Sequence, residues 1–330
     1  MNSEMTVRQR EAWSLAAISA PAVLLLTGLG WVWVLAGSLG AVCLRAWMNA
    51  LCRNADGTLS ESLLYAFGKP VGTGLLLLSA LWMTLVLART AAQANTAYPD
   101  DALGQLPGAA LLALTAYCAW TGKQTAKNSA GIAAMLAAGL YALLFVSAAG
   151  AVEWAWCLPW GKPSDAWQAF AVGLIPAATL FLTQKRGQSP IGLGTAALAP
   201  AAMAFVCAGM LSPAVCVREP IPFYAAAKSL SLFSVMPRVE PLLSGAMLMG
   251  MFCLAGLLVS AASEAVRRAS GLPEKWGALG ICAAALAVSF FTRRLPERLW
   301  IGGATIFWGI LPIAALIVVS EKKRRKKAEK

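Results

Sequence analysis

Apolar runs of about twenty residues recur along the whole chain, separated by short polar breaks. As helices, such runs each cross the roughly 30 Å of hydrocarbon in a bilayer. They lie near 12–30, 31–51, 65–96, 105–121, 129–150, 166–184, 190–213, 240–264, 276–291 and 299–320. None alternates with the period of a barrel strand. The pattern therefore predicts one all-α integral membrane domain of ten transmembrane helices.

The connections repeat. Spans 1 and 2 join through Gly28 to Trp31, and spans 6 and 7 through Lys185 to Ser189. Spans 4 and 5 join through Gly122 to Asn128, and spans 9 and 10 through Thr292 to Arg298. The third span of each set is long. Two sets of five, near 12–150 and 166–320, must face opposite ways because five is odd, which predicts a 5+5 inverted repeat. Residues 321–330 form a basic cytoplasmic tail.

Inverted-repeat transporters place their site where the first helix of each half is interrupted at mid-membrane. Both first helices carry a central proline here: Pro21 in Ser19-Ala20-Pro21, and Pro176 close after Gly173. Each proline removes a backbone donor and displaces the carbonyl four residues earlier. Helices 1 and 6 are thus expected to be broken or kinked, with Ser19, Ala20, Pro21, Gly173, Pro176 and Thr179 as candidate ligand-binding positions. The alternative is an ordinary kink, with the two hydroxyls back-bonding inside their own helices. Thr84 and Trp82 on span 3 and Ser244 on span 8 are added by position alone.

Composition agrees with lipid as solvent, since 59% of the 330 residues are hydrophobic and 13% charged. The net charge of +12 does not point to nucleic acid, because eight basic residues fall at Arg298 and in the tail from Lys322 to Lys330. That cluster reads as an orientation signal held against anionic membrane lipid. Arg8, Arg10, Arg53, Lys123, Lys127, Lys185, Arg186, Arg267, Arg268 and Lys275 fall on the same side when both termini are cytoplasmic. Lys162, Arg218, Lys228, Arg238, Arg293, Arg294 and Arg298 fall outside. The bias favours both ends inside, and the last outer loop argues the other way. The first apolar run is read as a retained span, not a signal peptide.

Histidine is absent, which removes histidine zinc sites and Ser-His-Asp triads. No cofactor, metal site or catalytic group is expected. Eight cysteines are scattered without a metal-type pair, and Cys157 and Cys216 fall on outer segments where pairing is open. Arg89 and Arg45 are read as snorkelling to opposite membrane faces. Tryptophans such as Trp31, Trp154, Trp156, Trp160, Trp276 and Trp300 sit at helix ends, as an interfacial belt requires.

Three stretches resemble the B subunit of spore germinant receptors (GerAB-like), within the amino acid–polyamine–organocation transporter superfamily. They are Phe223-Tyr224 with Ser229-Leu230-Ser231-Leu232 and Arg238-Val239-Glu240 leading into span 8; Phe67-Gly68-Lys69-Pro70-Val71-Gly72; and Ala116-Tyr117 with Gly122 to Lys127. Arg238 and Glu240 carry over as structural motif residues. The resemblance implies a LeuT-like fold, sensing of a small nutrient such as an amino acid, A and C subunit partners, and residence in the spore inner membrane. Where that family has Glu and Arg in the connector between spans 4 and 5, this chain has Gln124 and Lys127. An active amino-acid permease and a passive water or ion path are the alternatives on the same spans. A membrane enzyme is not expected, because no buried dyad or triad is evident.

Overall fold

In hydrocarbon each backbone N–H and C=O must find its partner within its own segment, so the apolar runs become helices. The computed structural model describes residues 7–55, 58–95, 104–182, 190–230, 240–292 and 296–328, and every regular element among them is helical. The first half comprises α1 (Val7–Leu25), α2 (Trp31–Ala55), α3 (Leu59–Phe67), α4 (Lys69–Ala94), α5 (Leu106–Thr121) and α6 (Lys123–Ala149). After a 3₁₀ turn at Trp154–Cys157 come α7 (Ser164–Gly173), a 3₁₀ segment at Ile175–Phe181, α8 (Pro190–Leu211), α9 (Pro213–Arg218) and α10 (Pro222–Lys228). The last part holds α11 (Glu240–Ser270), α12 (Glu274–Thr292), α13 (Glu297–Ala304), a π segment at Thr305–Ile310 and α14 (Leu311–Ala328).

Among the described residues, seven segments are long and apolar enough to cross a membrane: α2, α4, α6, α8, α11, α12 and the continuous stretch from α13 to α14. The apolar part of α1 and the whole of α5 are shorter. The long span expected over 65–96 divides at Gly68, whose φ of +79° suits glycine and ends α3. Pro70 then starts α4, where its missing N–H costs nothing. The stretch after α8 holds α9 and α10, which the apolar pattern does not distinguish. The basic tail expected over 321–330 is helical as far as Ala328.

A polar network ties one end of the bundle together. Thr58 and Glu61 form a capping box at the start of α3. Glu61 pairs with Arg268 at 2.8 Å. Arg268 and Arg267 both bind Glu264, which is only 6% exposed, and Arg267 reaches Glu274 of α12 at 2.9 Å. Lys322 of α14 donates to the Tyr65 and Ala66 carbonyls at 3.2 and 2.9 Å, capping the end of α3.

Helices in lipid gain contact by bringing backbones close, which small residues permit. A Cβ at Gly37 of α2 would strike the Ala166 carbonyl of α7, and one at Gly303 of α13 would strike the Trp82 ring of α4. Gly250 of α11 faces Ser19 and Ala16 of α1 in the same way. The long helix α11 is the hub, packing against α1, α4, α5, α6 and α12. Trp13 of α1 donates its indole N–H to the Cys253 carbonyl at 2.6 Å, and the Cys253 thiol reaches the Ala130 carbonyl of α6 at 3.4 Å.

All eight cysteines are free, so Cys157 and Cys216 do not pair. Packing decides this: the Cys157 sulfur lies against Gly209, whereas Cys216 lies beside Cys207. Burial pushes the Cys216 thiol up to about 11, keeping it protonated at neutral pH.

Gly37→Ala gains about 1 kcal/mol of helix propensity but meets rigid backbone, so it should lower the melting temperature in detergent; Gly139→Ala, with nothing near its Cβ, should hold or raise it. Equal melting of the two variants contradicts the close approach. Glu264→Ala takes a shared acceptor from Arg267 and Arg268, leaving them Glu274 and Glu61, and should cost about 1.5–3 kcal/mol, whereas Glu61→Ala, at a more exposed pair, should cost under about 1 kcal/mol. Denaturation of both variants in one detergent checks the ranking.

Candidate functional site

The sixth apolar run changes helix type at its centre. Through Gly173 it is α-helical; from Ile175 to Phe181 it is 3₁₀. Pro176 has no N–H to return to Val172, the residue four earlier. The Ala177 N–H, which an α-helix would direct to the Gly173 carbonyl, instead donates to Leu174 at 2.8 Å. The Gly173 carbonyl is thereby freed from its helix. This is the interruption expected at helix 6.

Helix α1 differs. It remains α-helical through Pro21 and ends at Leu25, so no break lies at that proline. Pro21 stands four residues from the end, and the remaining turn is completed by the Leu26 N–H donating to Ala22 at 3.0 Å. Neighbouring helices bury both Ala20 and Pro21. Helix α1 packs against α7, the 3₁₀ segment and α11, and its Ser19 lies against Gly250 of α11.

The candidate hydroxyls spend their protons locally. Ser19 donates to Ala16 at 2.7 Å, Thr179 to Pro176 at 2.7 Å, and Thr84 to Ala80 at 2.8 Å. A hydroxyl that donates in this way keeps lone pairs with which its oxygen accepts hydrogen bonds. The Tyr141 hydroxyl of α6 lies near Ser19 and makes no hydrogen bond of ordinary geometry. Ser244 is buried on α11, while Thr84 stands on α4, which packs on α11 and α12. Arg238 lies outside the described residues, as does the side chain of Glu240, the first residue of α11.

Two features escape the hydrophobic pattern. Arg45, expected to snorkel, is 3% exposed and directs Nη1 at the freed Gly173 carbonyl, 3.4 Å away. Gly37, Ala41 and Arg45 recur every fourth residue and so share one face of α2, a signal of close packing with a polar group at its end. The second feature is an aromatic cluster. Trp82, Trp300 and Trp308 lie 5.6 to 6.1 Å apart, Phe307 stacks on Trp82 at 5.7 Å, and Arg89 sits 4.9 Å over Trp300. Trp300 is thus part of a helix contact and not of an interfacial belt, whereas Trp154 and Trp276 are widely exposed as a belt requires. The cluster surrounds the π segment, where Gly309 touches Leu174 at the helix switch.

No group of three or more Cys, Asp or Glu among the described residues is placed to bind a metal. A separate small cavity of about 10 Å³, room for roughly one water, lies between α5, α6 and α11 beside Thr115, Cys118 and Ser260.

No protein-family model matches this chain, and no curated protein matches it. Among solved structures it is similar to MhsT, whose crystal structure is in complex with L-phenylalanine. The two share 15% identity at a TM-score of 0.53, over 93% of this chain and 87% of MhsT. The chain is an integral membrane protein with the fold of that structure.

Proposed function

We propose that the protein is a transporter-like membrane protein that binds a small amino acid between α1, α11 and the switch from α7 to 3₁₀ helix. The observation that carries this reading is the freed backbone at Gly173 to Pro176, packed against α1 in a LeuT-type fold. In such folds, interrupted helices at mid-membrane present backbone groups to polar substrates. That MhsT is bound to an amino acid supports the choice of ligand class.

On this reading the chain crosses the membrane ten times as two inverted sets of five, with both termini cytoplasmic. The shorter α1 and α5 are spans, and so is α7 with its 3₁₀ continuation. The resemblance of Phe67 to Gly72, Ala116 to Lys127, and Phe223 to Glu240 to germinant receptor B subunits favours sensing: the ligand prefers one arrangement of the two halves, and A and C subunits in a spore inner membrane read the change. An active permease is the second reading, favoured by the same fold.

Binding of the twenty amino acids to purified protein tests the ligand class. At least one should raise the melting temperature, and Ser19→Ala or Thr179→Ala should weaken it about tenfold, roughly 1.4 kcal/mol; Ser147→Ala, an equally back-bonded serine on α6, should not. No binding by any amino acid sinks the proposal. Uptake of the bound amino acid into proteoliposomes selects the permease, whereas binding without uptake, with loss of nutrient germination on deletion, selects the receptor.

A further inference from the structure

Arg45 lies within the apolar stretch Trp31–Cys52, yet it is 3% exposed. A guanidinium keeps its charge in proteins, and a charge placed inside the membrane marks a functional position by default. Its surroundings show what it meets. Gly37 and Ala41 let α2 approach α7 so closely that a Cβ at Gly173 would press on Ala41. One turn further on, Arg45 directs Nη1 at the Gly173 carbonyl.

That carbonyl has two properties. The switch to 3₁₀ geometry frees it, because the Ala177 N–H goes to Leu174. It also stands at the C-terminal end of α7, the negative pole of the half-helix. In inverted-repeat transporters, unwound carbonyls and half-helix C-terminal ends are where dissolved cations are coordinated. Here a side chain of the protein itself brings a cation to that place.

We propose that Arg45 is a tethered internal cation that holds the carbonyl end of the interrupted helix, so that this end of the site needs no cation from solution. It is a positioning residue: it acts on the backbone at Gly173 and through it on the geometry of Pro176 and Thr179. The inference rests on the transporter reading for the meaning of the site, but its test needs no amino-acid ligand.

The test is thermal melting of the purified full-length protein. The wild type should melt at the same temperature, within about 1 °C, in sodium chloride and in choline chloride. Arg45→Ala should melt about 5 °C lower or more, and about 10 mM methylguanidinium should restore at least half of the loss. The same addition should not help Gly37→Ala, which damages the same helix contact without removing a cation. Should Arg45→Ala fail to fold, Arg45→Gln and Arg45→Lys provide the comparison. The lysine, which keeps the charge, should retain more stability than the glutamine, and only the glutamine should gain from methylguanidinium. Wild-type melting that depends on sodium, an alanine variant as stable as wild type, or equal rescue of Gly37→Ala overturns the proposal. If rescue is specific but no amino acid binds, the functional reading fails and the role of Arg45 stands; if amino acids bind and rescue is absent, the reverse holds.

Discussion

An unpaired backbone carbonyl in hydrocarbon has no water to turn to, and the fold is arranged around that constraint. Helices satisfy it locally, which is why the described chain is helical throughout. Where regular helix stops at mid-chain, other parts of the protein must cover the interruption. At Gly173 the cover is the most expensive kind, a buried guanidinium from α2. At the π segment three tryptophans and a phenylalanine pack together, the three indole N–H groups buried without a hydrogen-bond partner among the described residues. The two irregular places touch through Leu174 and Gly309, so they form one neighbourhood.

Close packing makes this possible. Gly37, Gly250 and Gly303 each stand where a methyl group would collide with a neighbouring helix. Lipid gives little hydrophobic drive for helices to associate, so the association comes from such contact and from hydrogen bonds between helices. The indole of Trp13 on the Cys253 carbonyl is one of these bonds, and it fastens α1 to the hub helix α11 beside Ser19. At the end of the bundle that holds the basic tail, Glu264 gathers Arg267 and Arg268, while Lys322 caps α3. One region is thereby anchored, and the 3₁₀ segment of the interrupted helix packs against α3 within it.

How much of this was legible in the sequence differs from residue to residue. The seven long spans were readable because apolar runs of membrane length have one physical outcome. Pro176 was readable as a break, since a proline cannot donate to Val172. Pro21 carries the same chemistry and leaves its helix continuous, because neighbouring helices bury it and hold the chain on either side. Ser19, Thr179 and Thr84 were found as hydroxyls, but that each back-bonds depends on rotamers that packing selects. Gly68 looked like one residue within a long span and is a helix boundary, because its positive φ permits a turn that a side chain would resist.

Sequence alone determined the solvent, the helical class, the break at Pro176, and the absence of histidine chemistry. These depend on transfer free energy and backbone donors, which are local properties. Only the tertiary structure decided that Arg45 turns inward to Gly173, that Trp300 joins Trp82 and Trp308, and that Cys157 and Cys216 stay apart. A long side chain in a membrane helix has two ways to satisfy itself, toward the lipid surface or toward a partner. Which one wins depends on whether a neighbouring helix brings an acceptor within reach.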